Sequence, residues 1–326
     1  MENYKITGRA GEGAHGTVFK GFDLRSDKVV ALKKIAINPD QGIPKNTLRE
    51  ICALRALKAK NIVKLYDVTS MGSSVMLVME YLPCSLQDVI RNSNIDLNLP
   101  RIKSYSRMLL KGIYFMHKNH IMHRDIKPAN LLISPSRELK IADFGLARIF
   151  NSEVSRLYSH QVATRWYRAP ELLYGSRTYK PSVDMWSVGC IIGEMVNRVP
   201  LFPGETDIEQ LAIVLSTLGT PTDESWPDLK KLPDYNKIAF ISSPGKRWSI
   251  MLPSADRPTL DLLKKLLLYD GNQRLSAKQA LRHNFFSKEP EPAELVNMPS
   301  PDDVVKDTPT FNAKEFDEIL KEINKT

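Results

Sequence analysis

Over residues 4–35 apolar and polar positions alternate in short runs broken by glycine, as in Gly16-Thr17-Val18-Phe19-Lys20 and Val29-Val30-Ala31-Leu32-Lys33. Side chains that change sides at every residue suit a pleated sheet with one buried face, so this stretch predicts antiparallel strands. A helix is predicted over about Lys45–Lys58, with Pro44 suited to its first turn. Glu50, Leu54 and Leu57 share one stripe of that helix, which would bury a carboxylate beside apolar neighbours. Val63–Tyr66 and Val75–Met79 read as further strands.

After Pro83 the period becomes helical, with long segments at roughly 101–119, 183–197, 207–218 and 259–268. Two short strands, Leu131–Ile133 and Leu139–Ile141, interrupt it. The expected class is therefore α+β: a small antiparallel β lobe with one helix (4–82), then a larger, mainly helical lobe (83–286). Residues 219–257 are irregular and richer in Pro, as an insertion between helices would be. From Ser287 a linker, Lys288-Glu289-Pro290-Glu291-Pro292, opens a tail over 287–326. There Phe316, Ile319, Leu320 and Ile323 recur at i, i+3, i+4, i+7, the pattern of one amphipathic helix. Packing back on the rest of the chain is favoured for it over binding a partner.

Composition narrows the classes. With 42% hydrophobic and 25% charged residues, disorder throughout is excluded. The formal charge of +9 comes without any run of five basic residues, so a surface suited to phosphorylated or acidic partners is expected, and no nucleic acid. Cys52, Cys84 and Cys190 lie far apart and fit neither a disulfide framework nor a metal spacing. No apolar stretch is long enough to span a bilayer, and Met1-Glu2-Asn3-Tyr4 lacks the features of a signal peptide or myristoylation site. An intracellular protein with no membrane association is expected.

The chemistry concentrates in His123-Arg124-Asp125-Ile126-Lys127-Pro128-Ala129-Asn130, followed by Asp143-Phe144-Gly145. Phosphoryl transfer asks a protein mainly for positioning and for neutralisation of phosphate charge. Asp125 can orient a hydroxyl and accept its proton, and Lys127 can reach the migrating group. Asn130 and Asp143 offer the hard oxygens that suit Mg²⁺. Upstream, Gly11-Glu12-Gly13-Ala14-His15-Gly16-Thr17-Val18 is a G-x-G-x-x-G-x-V run. In a dinucleotide fold such a run would precede a helix; here strands flank it on both sides, so a hairpin over ATP phosphates is the better reading. Its nucleotide contacts would be Ala10, Gly11, Gly13, Gly16 and Val18. Lys33 would reach the phosphates with Glu50 as its ion-pair partner. Backbone groups of Glu80 and Leu82 would meet adenine, with Ala31 and Leu132 as apolar walls.

Taken together these residues resemble the signature set of eukaryotic protein kinases over residues 4–286. The resemblance implies a bilobal kinase fold. Ala169-Pro170-Glu171, Asp184-Met185-Trp186 and Arg274 extend it; Glu171 would pair with Arg274, and Asp184 would hold the loop that carries Asp125. Val162-Ala163-Thr164-Arg165-Trp166-Tyr167-Arg168 and the insertion after Leu218-Gly219-Thr220-Pro221 are similar to the cyclin-dependent and MAP kinase group. Within it, Ser155–Gln161, Asp207–Leu211 and Leu232–Ile238 look most like a cell-cycle-related subfamily of the cyclin-dependent kinases.

That likeness implies a serine/threonine kinase using ATP and Mg²⁺ on Ser/Thr-Pro sites, placed in cytoplasm, nucleus or cilium. It also implies a cyclin or cyclin-like activator on the helix around Leu48 and Ile51, and an upstream kinase acting on Ser159. Arg49, Arg124 and Arg148 would gather a phosphate there. Arg168 would occupy the Ala163 carbonyl, favouring substrates with proline after the phosphoacceptor. Three departures stand out. Ser159 and Gln161 replace the Thr-x-Tyr of MAP kinases, Ala14-His15 replaces the Thr-Tyr of mitotic members, and Ser85 replaces an Asp at the ribose edge. The alternatives are a cyclin-independent MAP-kinase-like enzyme and a pseudokinase scaffold; the presence of Lys33, Asp125 and Asp143 argues against the scaffold.

Overall fold

The computed structural model describes residues 3–13, 16–40, 42–151 and 157–304. The small lobe is built on β1 (Tyr4–Gly13), β2 (Gly16–Asp23), β3 (Lys28–Ala36), α1 (Lys45–Ala56), β4 (Leu65–Met71) and β5 (Ser74–Glu80). Its five strands form one antiparallel sheet in the order β1-β2-β3-β5-β4. The alternation of β3 shows why: Val30 and Leu32 join Phe19, Met76 and Val78 on one face, while Ala31 and Ile35 join the core on the other.

Two boundaries differ from the pattern reading. Helix α1 stops at Ala56, because Leu57 turns out of helical geometry (φ −100, ψ 87) and buries its side chain. The strand expected to start at Val63 starts at Leu65, because Val63 donates its N–H across to the Ile141 carbonyl (2.9 Å). That bond stitches the two lobes.

The large lobe runs through β6 (Cys84–Ser85), α2 (Leu86–Arg91), α3 (Leu99–Lys118), β7 (Ile121–Met122), β8 (Leu131–Ile133), β9 (Leu139–Ile141) and β10 (Arg148–Ile149). It continues in α4 (Pro170–Leu173), α5 (Ser182–Asn197), α6 (Asp207–Leu218), α7 (Trp248–Met251), α8 (Arg257–Leu266), α9 (Ala277–Ala280) and α10 (Pro301–Val304). Helix α5 is buried nearly all round, so it reads as a run of apolar residues and forms the lobe's axis. The small sheets β6-β8-β9 and β10-β7 sit at the junction with the small lobe. The expected α+β bilobal architecture is what the chain adopts.

The stretch expected to be a linker lies against the large lobe. Lys103 of α3 is fully buried, and its ammonium donates to the carbonyls of Lys288 and Pro290 (both 2.7 Å). A buried ammonium needs acceptors, and this backbone supplies them. Met298 is buried farther along. The amphipathic pattern at 316–323 lies outside the described residues. Among the described residues no helix is long and apolar enough to cross a membrane.

Candidate active site

A cleft of about 750 Å³ lies between the lobes. Ala10, Gly11, Gly16 and Val18 of the β1–β2 hairpin form its roof. Gly16 has φ +136, and a Cβ there would sit 2.2 Å from the Lys34 carbonyl oxygen, so only glycine fits. Gly13 pairs with Gly16 at the hairpin end; Ala14 and His15 lie outside the described residues. Ala31 and Leu132 line the walls as expected, and Val63, Met79 and Ala142 join them. Those three carry no local signal: Met79 comes to the wall through strand pairing with Ala31, Val63 through its bond to Ile141, and Ala142 through its N–H to the Asn130 carbonyl. Glu80, Tyr81 and Leu82 form the rear edge. The Glu80 carboxylate is committed elsewhere, accepting the Lys64 N–H (2.7 Å) and pairing with Lys140 (3.1 Å).

At the outer edge Ser85 caps α2. Its hydroxyl donates to Asp88 Oδ2 (2.7 Å) and accepts the Asp88 N–H (3.3 Å). Asp88 also lines the cleft. The Ser-x-x-Asp spacing of a capping box was the sequence signal for it.

On the floor, Lys33 Nζ lies 2.7 and 2.9 Å from the two carboxylate oxygens of Glu50, and 3.9 Å from Asp143. Glu50 is buried on the α1 stripe with Leu54, which is why a helical carboxylate meets a strand lysine. Asp125 sits opposite. Its Oδ1 accepts the backbone N–H (2.8 Å) and hydroxyl (3.1 Å) of Thr164; its Oδ2 faces Lys127 Nζ (3.0 Å) and Asn130 Nδ2 (3.1 Å). Lys127 also donates to Thr164 Oγ1 (2.8 Å). The Asn130 amide nitrogen is thus occupied by Asp125, and its carbonyl oxygen is a hard donor left in the cleft that Asp143 also lines. This pair fits a small divalent cation. Thr164 was not singled out from sequence; it belongs to a loop that only the fold brings to Asp125.

The loop carrying Asp125 is held from below. Asp184 of α5 accepts the backbone N–H groups of His123 (2.9 Å) and Arg124 (2.8 Å), and pairs with His117 Nε2 (2.9 Å). Burial opposes ionisation of this carboxyl, but the His117 hydrogen bond and the neighbouring donors outweigh it and hold its pKa below the ordinary value. Arg124 stands at φ +70, a conformation unusual for a residue with a Cβ, and its bonded N–H keeps it there.

Ser159 is exposed, and its carbonyl accepts the Tyr179 hydroxyl (2.6 Å), which in turn accepts from Arg124 Nη1 (2.7 Å). Arg49, Arg124 and Arg148 come together: burial first, and then mutual repulsion, lowers the pKa of Arg49 and Arg148. Tyr179, which links Arg124 to Ser159, was missed. On α1, Leu48 is exposed, whereas Ile51, expected on the same apolar surface, is buried in the core. On a helix of 3.6 residues per turn Ile51 stands about 60° from Leu54 and turns inward with it, while Leu48 stands about 120° away and faces out.

Arg168 donates to the carbonyls of Val162 (2.8 Å) and Ala163 (3.0 Å) and pairs with Asp207 (2.8 Å). Ala163 stands at φ +65, which turns its carbonyl toward that guanidinium. Glu171 and Arg274 pair in two bonds (2.7 and 2.6 Å).

Residues 4–286 match the family model described as protein kinase domain. Cyclin-dependent kinase 20 of Danio rerio is 54% identical over 303 residues, covering 92% of this chain and 88% of the relative. The Homo sapiens protein of the same name is 51% identical with the same coverage. Cyclin-dependent kinase D-1 of Arabidopsis thaliana is 42% identical over 89% of this chain and 73% of its own length. Among solved structures, the CAK complex from Chaetomium thermophilum bound to ATP-gamma-S superposes with a TM-score of 0.85 at 36% identity, over 91% of this chain and 95% of that one.

Proposed function

The chain belongs to the protein kinase family, as a cyclin-dependent-kinase-like serine/threonine kinase, and we propose that it moves the γ-phosphate of ATP onto Ser/Thr-Pro sites of proteins with Asp125 as catalytic base. The observation that carries this reading is the placement of Asp125. Its two oxygens are fixed by Thr164, Lys127 and Asn130, across the cleft from the Lys33–Glu50 pair.

Ala10, Gly11, Gly13, Gly16 and Val18 would cover the nucleotide. Ala31 and Leu132 would sandwich the base, and the backbone of Glu80 and Leu82 would bond its edge. Lys33, oriented by Glu50, would hold the phosphates. Mg²⁺, when bound, neutralises phosphate charge, and Asn130 and Asp143 would hold it. Asp125 would orient the substrate hydroxyl and take its proton, while Lys127 steadies the migrating phosphoryl group. Ser85, committed to its cap, leaves the ribose edge to Asp88.

The same reading places a cyclin-like activator against exposed Leu48 and an upstream kinase at Ser159, with action in cytoplasm, nucleus or cilium. A second reading, activity without a cyclin, has one observation in its favour: Lys33 and Glu50 already meet at 2.7 Å in the single chain.

Replacing Asp125 tests the assignment. Asp125→Asn should lower turnover of a Ser-Pro peptide by roughly 10²–10⁴-fold, the usual worth of general-base help. A thermal melt should show the fold intact. Near-normal turnover would remove Asp125 from the mechanism.

A further inference from the structure

The rear of the small lobe carries a second recess, remote from the chemistry. It opens between the C-terminal end of α1 and β4 and encloses about 1020 Å³. Its floor is apolar, with Leu54, Leu57 and Ile62 buried there. Its rim is basic: Arg55, Lys58, Lys60, Lys64 and Lys140, against Asp67 on the acidic side. Lys60 is answered by Glu138 (2.6 Å) and Lys140 by Glu80 (3.1 Å). Arg55, Lys58 and Lys64 are exposed and have no carboxylate partner among the described residues; Lys64 lies over the exposed ring of Tyr66 (5.3 Å). Folding gains nothing from three like charges around an apolar floor. An acidic ligand with an apolar face would answer both features.

We propose that this groove binds the chain's own C-terminal segment, Glu315 to Ile323. Phe316, Ile319, Leu320 and Ile323 would share one face of a helix, and Glu315, Glu318 and Glu322 fall at i, i+3, i+7 along one edge of that face. An apolar stripe with an acidic edge is the complement of an apolar floor with a basic rim.

The end of the described chain is well placed to deliver it. Val304 packs on the core, and the charge of Asp302 acts on Cys84 in β6. Strand β8 lies between β6 and β9, and Lys140 of the rim is in β9. Two strand spacings are only about 10 Å. Ten residues, 305–314, separate the two parts, and such a length can reach about 33 Å when extended. A short tether also raises the local concentration of the segment to the millimolar range, so a modest contact would be well populated.

The test uses the full-length chain and zero-length coupling of carboxylates to amines, read by mass spectrometry. Lys58 and Lys64 should couple to Glu315, Glu318 or Glu322. In an equal mixture of heavy- and light-isotope protein these links should join residues of like isotope, which marks them as intramolecular. Ile319→Asp removes no coupling group and lies beyond residues 4–286; it should cut the yield about tenfold and speed amide exchange over Leu65–Val68. Arg55→Glu should act in the same direction. Three outcomes would each overturn the proposal: no such links, links of which about half join unlike isotopes, as random pairing of two copies gives, or yields unmoved by Ile319→Asp. The first would leave the groove to an acidic segment of another protein.

Discussion

A few side chains fix the geometry on which the proposed chemistry depends, and Asp184 is the deepest of them. Its carboxylate is almost wholly buried, yet it stays ionised because His117 and two backbone N–H groups converge on it. Asp184→Asn keeps the shape and loses the charge; it should cost about 3 kcal/mol at neutral pH, as breaking a buried charged pair does. The folded pKa lies below the unfolded value of about 3.9, so this stabilisation is complete above that value. It is lost as pH falls through the folded pKa. Melts of the two proteins should therefore differ at pH 7 and converge in stronger acid; a constant gap would place the effect elsewhere. Arg168 is proposed to govern choice and not rate. Because it already occupies the Ala163 carbonyl, a substrate amide at the next position would be left without an acceptor, at about 1–1.5 kcal/mol. Proline has no N–H to leave unpaired. A peptide library should show proline preferred roughly tenfold after the phosphoacceptor, and an even distribution would refute the assignment.

At the level of elements, α1 links three sites. Its inner stripe holds Glu50 against Lys33, its flank brings Arg49 toward Arg124 and Arg148, and its outer side exposes Leu48. Three guanidinium groups repel without an anion among them, and a phosphate supplies roughly −1.5 to −2 charges with several acceptors. Phosphorylation of Ser159 should therefore raise activity and pin α1, the catalytic loop and the activation segment together. The comparison is unmodified chain, Ser159→Ala and Ser159-phosphorylated chain, each with and without candidate cyclins. Activity should rank highest for phosphorylated chain with partner, and Leu48→Asp should abolish only the partner's share. Equal, high activity throughout would leave neither phosphate nor partner a role.

On the scale of the whole molecule, the stretch after Phe286 acts as a strap along α3. Lys103 donates to the carbonyls of Lys288 and Pro290 in it, and Ser104 to that of Ala293. A chain ending at Phe286 would take both acceptors from the Lys103 ammonium and the burial of Met298 from the core, a defect of about 3 kcal/mol. For a chain of this size that is a fall of roughly 6–10 °C in Tm. Lys103→Met in the shortened chain should recover part of it, because an apolar side chain needs no acceptor. An unchanged melt after truncation would show the strap to be idle.

The two-lobed order of strands and helices was legible in the sequence because it follows from local periodicity. Alternation marks β1–β3, and the 3.6-residue period marks α3, α6 and α8. Glu50 was matched to Lys33 by the kinase signature, and helix geometry supported the match by putting Glu50 on the stripe of Leu54. Long-range partners were legible only where the kinase resemblance supplied them, as for Glu171 with Arg274. Thr164 reaches Asp125 from 39 residues away, Tyr179 bridges Arg124 and Ser159, and Val63 leaves its expected strand to bond Ile141. Ile51 was misplaced for a related reason: its apolar character fits either a partner or the core, and only packing chooses between them. Sequence periodicity thus determined which residues lie on the same face of each element. The tertiary structure decided which faces meet, because buried N–H groups, ammonium ions and carboxylates are satisfied by whatever acceptor or donor the fold brings within about 3 Å.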